Sequence, residues 1–88
     1  MYSVMYSDKA IKALQKLDRH TAAMIYGWID KNLEDCSNPR LHGKALNYDF
    51  KGYWRYRIGA YRLIANIQDN LLTIEIIKIG HRREIYSK

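Results

Sequence analysis

Three arginines in a segment rich in aromatic residues are the side chains best suited to chemistry. They are Arg55, Arg57 and Arg62, in the run WRYRIGAYR that occupies residues 54–62. Apolar residues alternate with Arg55 and Arg57, and this period of two is typical of a strand whose side chains point to opposite faces of a sheet. The forked N–H donors of arginine match the oxygen atoms of a phosphate. We therefore expect the arginines to share one face of a sheet and to bind an anion there.

A tight turn in the same run sets two of the arginines opposite each other. The run Ile-Gly-Ala-Tyr at residues 58–61 predicts a two-residue hairpin loop, in which Gly59 supplies the positive φ that such loops need. The register that follows places Arg57 opposite Arg62, and like charges in this position destabilise a sheet. This repulsion favours an anionic ligand at the pair. The alternative is a structural ion pair between Arg62 and Glu75.

A further strand is expected over residues 71–79, after a second tight turn at residues 68–71. Gly80 is expected to end this strand. Alternation then gives the sheet one apolar face and one basic face. The prediction pairs Leu72, Ile74 and Ile76 with Ile67, Ala65 and Leu63 on the apolar face, and leaves Thr73, Glu75, Ile77 and Ile79 on the arginine face.

The first half of the chain predicts a strand followed by two helices. Residues 2–6 alternate weakly, as in a short strand, and Ser7 is a good N-cap for an amphipathic helix over residues 8–17. Asp18 can cap a second helix that runs to about residue 35. Pro39 and the two residues before it are expected to stop this helix, because proline lacks the amide and forces its predecessor into an extended conformation.

The segment before the arginine-rich hairpin is the least regular. Residues 40–52 predict a loop with a short strand near residues 46–48, and Lys44 and Lys51 in this loop would extend the arginine face. Together, the elements predict an α+β fold, in which a small, mostly antiparallel sheet (β-α-α-β-β-β) carries a two-helix hairpin packed on one face. With 88 residues, the chain is expected to form one domain over residues 1–88.

The composition indicates a basic cytoplasmic protein with an anionic partner. The formal net charge of +6 favours nucleic acid or an acidic protein as that partner. Cys36 is the single cysteine, so an internal disulfide is excluded and a reducing compartment is expected. No secretory signal and no membrane-spanning apolar run is evident. His20 and His42 lack metal-ligand spacing, and no residue cluster predicts a metal or another cofactor.

Several segments together resemble the RelE toxin family, within the RelE/ParE group of bacterial type II toxin–antitoxin systems. The resemblance is carried by YSDKAIKALQKLD, the Gly43-Lys44-Ala45-Leu46 loop, WRYRIGAYRLI and the ending IGHRREIY. It implies a small sheet covered by two helices, in agreement with the pattern above. It also implies a ribosome-dependent endoribonuclease that cuts messenger RNA in the ribosomal A site. In that reaction the ribose 2′-hydroxyl is the nucleophile, the product is a 2′,3′-cyclic phosphate, and no metal is needed.

The resemblance also implies roles for individual residues of this chain. Arg62 and Arg82 would hold the scissile phosphate, and Tyr86 would be the general base. His81 is the competing base, because the pKa of an ordinary histidine lies near neutrality. Basic residues that would bind the substrate are Arg55, Arg57, Lys44 and Lys51.

The partners implied are a cognate acidic antitoxin, the ribosome and its messenger RNA. Promoter DNA would be bound only through the antitoxin complex, and no membrane is involved. Two other functions stay open at this point. A ParE-like inhibitor of DNA gyrase would share the fold without the chemistry, and a non-catalytic module would bind antitoxin only.

Overall fold

A five-stranded sheet with two helices forms the fold, as seen in a computed structural model that describes residues 1–86. Ser87 and Lys88, which belong to the predicted domain, lie outside the described residues. The elements in chain order are β1 (Ser3–Tyr6), α1 (Asp8–Lys16), α2 (Arg19–Asn32), β2 (Lys44–Ala45), β3 (Trp54–Ile58), β4 (Tyr61–Gln68) and β5 (Thr73–His81). Short 3₁₀ turns occupy Tyr48–Phe50 and Asp69–Leu71.

The strands are arranged in the order β1-β5-β4-β3-β2. Strand β1 is parallel to β5, whereas the other three neighbouring pairs are antiparallel. The predicted α+β class with a mostly antiparallel sheet is therefore confirmed. Among the described residues, no helix has the length and apolar character that crossing a bilayer requires.

Both helices begin where side-chain capping predicts. The Ser7 hydroxyl accepts a hydrogen bond from the Ala10 amide at 3.0 Å, and Asp18 accepts one from the Thr21 amide at 3.1 Å. Helix α2 ends at Asn32, a few residues before the predicted end and well before Pro39. The helix ends early because the chain turns to meet the N-terminus.

Two backbone hydrogen bonds hold that turn. The amide of Asp35 donates to the carbonyl of Tyr2 at 2.9 Å, and the amide of Tyr2 donates to the carbonyl of Cys36 at 2.9 Å. Asp35, three residues after the helix ends, adopts a left-handed φ of 61°.

The core lies between the helices and one face of the sheet. It is apolar throughout, and its helical and strand members interleave as one cluster. The cluster contains Tyr2, Ala10, Leu14, Ile25, Ile29, Leu33, Tyr56, Ile58, Leu63, Ala65, Ile74, Ile76 and Ile79. The opposite face of the sheet is not part of this core.

The hairpin between β3 and β4 has the predicted register. Arg57 lies opposite Arg62, and Ile58 lies opposite Tyr61. Gly59 has a φ of 57°, and Ala60 is not among the residues with positive φ. This is the arrangement of a type II′ turn, whose first central position favours glycine.

The predicted register of β5 is wrong by two residues. Ile67 pairs with Ile74 rather than Leu72, because the 3₁₀ turn and a left-handed Leu72 (φ 48°) lengthen the connection. A register shift between Ile64 and Ala65 then leaves Ile77 without an opposite residue.

This bulge reverses the faces of the residues that follow it. Ile79 lies opposite Leu63 in the core rather than on the arginine face, and Lys78 takes the place opposite Ile64. The strand also continues through Gly80 to His81, so the prediction that Gly80 ends it is wrong.

Strand β2 occurs at Lys44–Ala45, slightly before the predicted residues 46–48. Gly43 fixes where β2 begins, because only a residue without a Cβ can approach β3 so closely. Its φ is 84°, and an added Cβ would collide with the carbonyl oxygen of Arg55. The indole of Trp54 donates to the carbonyl of His42 at 2.6 Å on the same side. Pairing with β3 therefore begins directly after the glycine.

Candidate functional site

The face of the sheet opposite the helices is basic. Its members are Arg55 and Arg57 on β3, Arg62 on β4 and Lys78 on β5, and we call it the arginine face. Arg57 and Arg62 are direct cross-strand neighbours, and Lys78 lies opposite Ile64, which in turn lies opposite Arg55. The predicted grouping of the three arginines is confirmed by this register.

Two arginines on this face each have a buried N–H donor without an acceptor among the described residues. The Nε atoms of Arg55 and Arg62 are buried and have no hydrogen-bond partner among the described residues. A buried donor without a partner costs free energy, and folded proteins retain few of them. The ladder also sets Glu75 opposite Asn66 while Arg62 lies opposite Gly80, so Glu75 is not placed to pair with Arg62. The Nε atoms of Arg55 and Arg62 are therefore available to an acceptor that residues 1–86 do not provide.

The segment after β5 folds back over the arginine face. The amides of Glu84 and Ile85 both donate to the carbonyl of His81, at 2.8 and 2.9 Å. Ile85 is buried and packs on Gly80, where an added Cβ would lie 3.2 Å from Ile85 Cδ1. Because Gly80 lies opposite Arg62 in the ladder, this contact anchors the terminal segment beside that arginine.

This anchor places Tyr86 at the edge of an open cleft. The Tyr86 ring lies edge-on to the ring of Phe50, with centroids 5.5 Å apart. The cleft has a volume of about 440 Å³, and Arg55, Tyr86 and Phe50 are among the residues that line it. Tyr86 and Arg55, both predicted as site residues, are thus brought to one surface.

Lys78 and Phe50 belong to the same surface, although the sequence did not predict either of them as a site residue. The Lys78 ammonium lies 5.7 Å from the centre of the Phe50 ring, within the range of a cation–π contact. Burial lowers the pKa of Lys78, and the positive charge of Lys9 lowers it further. The aromatic residues of the loop could have indicated Phe50 as a site residue. The sheet face on which Lys78 lies depends on the bulge, which the sequence pattern does not predict.

His81 lies apart from the arginine face. It is paired with Tyr61 in the ladder, and the two rings meet edge-on with centroids 5.6 Å apart. Tyr61 packs against the core, so the pair lies on the helix-covered side of the sheet, at its rim. His81 Nδ1 also accepts a hydrogen bond from the Arg83 amide at 3.2 Å.

The remaining predicted residues lie at the margins of the site. The Arg82 amide donates to the carbonyl of Ala60 at 2.8 Å, which fixes its backbone at the hairpin turn while the side chain is exposed. Lys44 is exposed and lies opposite Arg55, and Lys51 is exposed at the end of the 3₁₀ turn. Over residues 1–86, no group of three or more His, Cys, Asp or Glu side chains is placed to hold a metal ion.

Known proteins with similar sequences and folds are toxins. A family model described as the ParE toxin of the type II toxin–antitoxin system parDE matches residues 4–86. Toxin RelG of Mycobacterium tuberculosis is 30% identical over 87 residues, which cover 99% of this chain and 98% of RelG. Toxin RelE of the same organism is 33% identical over 85 residues, which cover 97% of this chain and 86% of that toxin.

A solved structure shares the fold closely. In the toxin–antitoxin complex RelBE2 of Mycobacterium tuberculosis, one chain superposes with a TM-score of 0.83 and 29% identity, over 94% of this chain and 93% of that chain. The resemblance predicted from the sequence motifs is confirmed by these matches. This chain therefore belongs to the RelE/ParE family and is a RelE-type toxin of the type II toxin–antitoxin class.

Proposed function

We propose that this toxin is a ribosome-dependent endoribonuclease that cleaves messenger RNA in the ribosomal A site, without a metal ion. The observation that carries the proposal is the position of Tyr86, whose ring lies at the cleft that Arg55 lines. A phenol that shares a cleft with a guanidinium group combines a group able to transfer a proton with one able to bind phosphate. RNA supplies both the phosphate and the hydroxyl nucleophile that such a site can use.

The proposed step is an attack of the ribose 2′-oxygen on the adjacent phosphorus. A 2′,3′-cyclic phosphate forms, the bond from phosphorus to the 5′-oxygen breaks, and that oxygen leaves as a hydroxyl. One group takes the 2′ proton and another protonates the leaving oxygen. Negative charge develops on the phosphorane between these events, and preorganised donors aimed at such charge are usually the largest contribution to the rate.

Arg62 and Arg82 are the residues proposed to stabilise the negative charge of the phosphorane. Arg62 has a buried Nε without an acceptor among the described residues, and it lies opposite Gly80 at the point where the terminal segment turns. Arg82 follows two residues later with an exposed side chain. Arg55, Arg57, Lys44 and Lys51 are assigned to neighbouring phosphates, and Lys78 adds positive charge to the same face.

Tyr86 is favoured over His81 as the general base. Tyr86 shares the cleft with Arg55, whereas the ring of His81 contacts Tyr61 on the other side of the sheet. Proton transfer requires the base to come within hydrogen-bond distance of the 2′-hydroxyl. A substrate phosphate bound on the arginine face is on the side of Tyr86.

The same proposal includes the partners and the compartment of the toxin. Its cognate antitoxin is an acidic protein with a segment that folds on binding and covers the basic face. Promoter DNA is bound by the toxin–antitoxin complex, through the antitoxin. The ribosome and messenger RNA place the toxin in the cytoplasm.

Primer extension on a reporter messenger RNA in a purified translation system tests the proposal. Wild-type toxin and Arg82→Ala are compared with and without ribosomes. We expect cuts that require both the ribosomes and Arg82. Folded wild-type toxin that makes no cut with ribosomes present contradicts the proposal. Inhibition of gyrase supercoiling in a parallel assay then points to a ParE-like activity, and antitoxin binding alone points to a non-catalytic module.

A further inference from the structure

The loop between β2 and β3 contains a tyrosine with an unusual exposure and backbone conformation. Tyr48 is 95% exposed, and its backbone is left-handed, with a φ of 57°. A bulky residue rarely adopts this conformation, and strain of this kind clusters at functional sites. Packing does not explain the tyrosine, since almost none of its surface is buried.

Tyr48 belongs to the same cleft as Tyr86. The lining consists of Ala45, Leu46, Asn47, Tyr48, Asp49, Phe50, Arg55 and Tyr86. Its volume of about 440 Å³ lies within the range of roughly 300–1,000 Å³ that is typical of small-molecule sites. Within residues 1–86, the cleft thus joins three aromatic residues to one arginine, and Asp49 is the one acidic residue of its lining.

We propose that Tyr48, Asp49 and Phe50 form a subsite for one base of single-stranded RNA, next to the nucleotide that is cleaved. The inference rests on the proposed endoribonuclease function and extends it to the choice of base. Unstacked bases bind proteins by stacking on aromatic rings, and their edges are read by hydrogen bonds. Tyr48 supplies the exposed ring, Phe50 lines the wall, and Arg55 binds an adjoining phosphate.

Asp49 gives the subsite a chemical preference. An ionised carboxylate only accepts hydrogen bonds, so it favours bases that carry an exocyclic amino group. Adenine, cytosine and guanine have such a group. Uracil instead presents two carbonyl oxygens on either side of its ring N–H, and these repel a carboxylate. The subsite therefore selects against uracil.

The variant Tyr48→Gly separates a binding role from a structural one. Glycine adopts positive φ without strain, so this change relieves the backbone while it removes the ring. We expect unchanged or higher thermal stability and a loss of about tenfold in kcat/KM for ribosome-bound messenger RNA, the scale of one lost base stack. Tyr48→Phe keeps the ring and is expected to retain cleavage. Tyr26→Ala removes a tyrosine from helix α2, outside the cleft, and serves as the control.

The base preference is measured by placing uracil at each position of the A-site codon and its neighbours in turn. We expect wild-type toxin to disfavour uracil at one position, and Asp49→Asn to lose that preference because an amide also donates to carbonyl oxygens. Cleavage by Tyr48→Gly at the wild-type rate, or an unchanged preference in Asp49→Asn, overturns the inference.

A binding measurement keeps this test separate from the proposed reaction. A short oligodeoxynucleotide carrying 2-aminopurine cannot be cut by 2′-hydroxyl attack, and its fluorescence falls when the base stacks. We expect quenching by wild-type toxin and Tyr48→Phe, and clearly weaker quenching by Tyr48→Gly. Quenching without any RNA cleavage would contradict the endoribonuclease function but support the subsite. Cleavage together with equal quenching by Tyr48→Gly would refute the subsite alone.

Discussion

Ile85 packs directly on Gly80, where an added Cβ would lie only 3.2 Å from Ile85 Cδ1. Gly80 is in β5 and lies opposite Arg62, and Ile85 is followed by Tyr86. Because Gly80 has no side chain, Ile85 can pack against the sheet at this position, and this packing anchors Tyr86. This contact links the sheet that carries the arginines to the ring proposed as the general base.

Ile85→Ala is expected to loosen this anchor. Truncating a buried isoleucine costs about 2–5 kcal/mol of unfolding free energy, and the loss should be visible in urea denaturation. Cleavage should fall further than stability explains, because Tyr86 loses its position over the cleft. Leu71→Ala, at a residue that is 63% exposed, is the control and should change stability by less than about 0.5 kcal/mol. Normal cleavage by folded Ile85→Ala would show that the anchor does not position Tyr86.

Arg62→Lys keeps the positive charge but removes the paired N–H donors of the guanidinium group. We expect cleavage to fall by about 10²–10³-fold, the scale of one lost donor to a transition-state oxyanion. Stability should be unchanged or slightly higher, since the buried Nε without a partner is removed. Single-turnover cleavage and thermal unfolding of the same preparation check both parts. A clear loss of stability with full cleavage would instead assign Arg62 a structural role.

Gly43→Ala and Gly27→Ala should change stability in opposite directions. At Gly43 the φ is 84° and a Cβ would lie 2.1 Å from the Arg55 carbonyl oxygen, so β2 must move away from β3. Gly27 lies inside α2, and among the described residues an added Cβ would meet nothing within 4 Å beyond its chain neighbours and the helix's own backbone, so alanine should add up to about 1 kcal/mol there. Denaturant midpoints of the two variants against wild type test this. Equal midpoints for both variants would disagree with the close approach at Gly43.

The ionised carboxylate of Asp69 should stabilise the fold, and this contribution should be lost in acid. Bidentate hydrogen bonds from Arg40, at 3.0 Å each, and a further one from the Tyr2 hydroxyl hold the pKa of Asp69 below its usual value. A carboxyl whose pKa is lowered by folding stabilises the protein above its unfolded pKa, about 3.9, and loses that effect as pH falls through the folded pKa.

The measurement is the melting temperature of wild type and Asp69→Asn between about pH 2 and pH 7. We expect the variant to melt lower at neutral pH and the difference to vanish in strong acid. A difference that is constant across this range would mean that the charge of Asp69 contributes nothing.

Local signals in the sequence predicted the elements and the main hairpin. Ser7 and Asp18 cap their helices as expected, and Gly59 sets the turn that pairs Arg57 with Arg62. These features depend on a few adjacent residues, so they can be predicted without knowledge of the rest of the fold.

Features that depend on distant residues were not predictable in this way. The bulge at Ile64 and Ala65 places Lys78 on the arginine face and Ile79 in the core, although strict alternation predicts the reverse. The contact of Ile85 with Gly80 joins a strand to a turn that carries no periodic pattern. The sequence therefore indicated that Arg55, Arg57 and Arg62 share one face, but not that the contact of Ile85 with Gly80 brings Tyr86 to it.

The nucleophile proposed to react at the arginine face is the 2′-hydroxyl of ribosome-bound messenger RNA. The most direct test is single-turnover cleavage on programmed ribosomes, with one 2′-deoxy substitution at the mapped cut site. We predict that the all-ribose message is cut to a 2′,3′-cyclic phosphate end and that the substituted message is not cut. Cleavage of both messages at the same rate would contradict the mechanism.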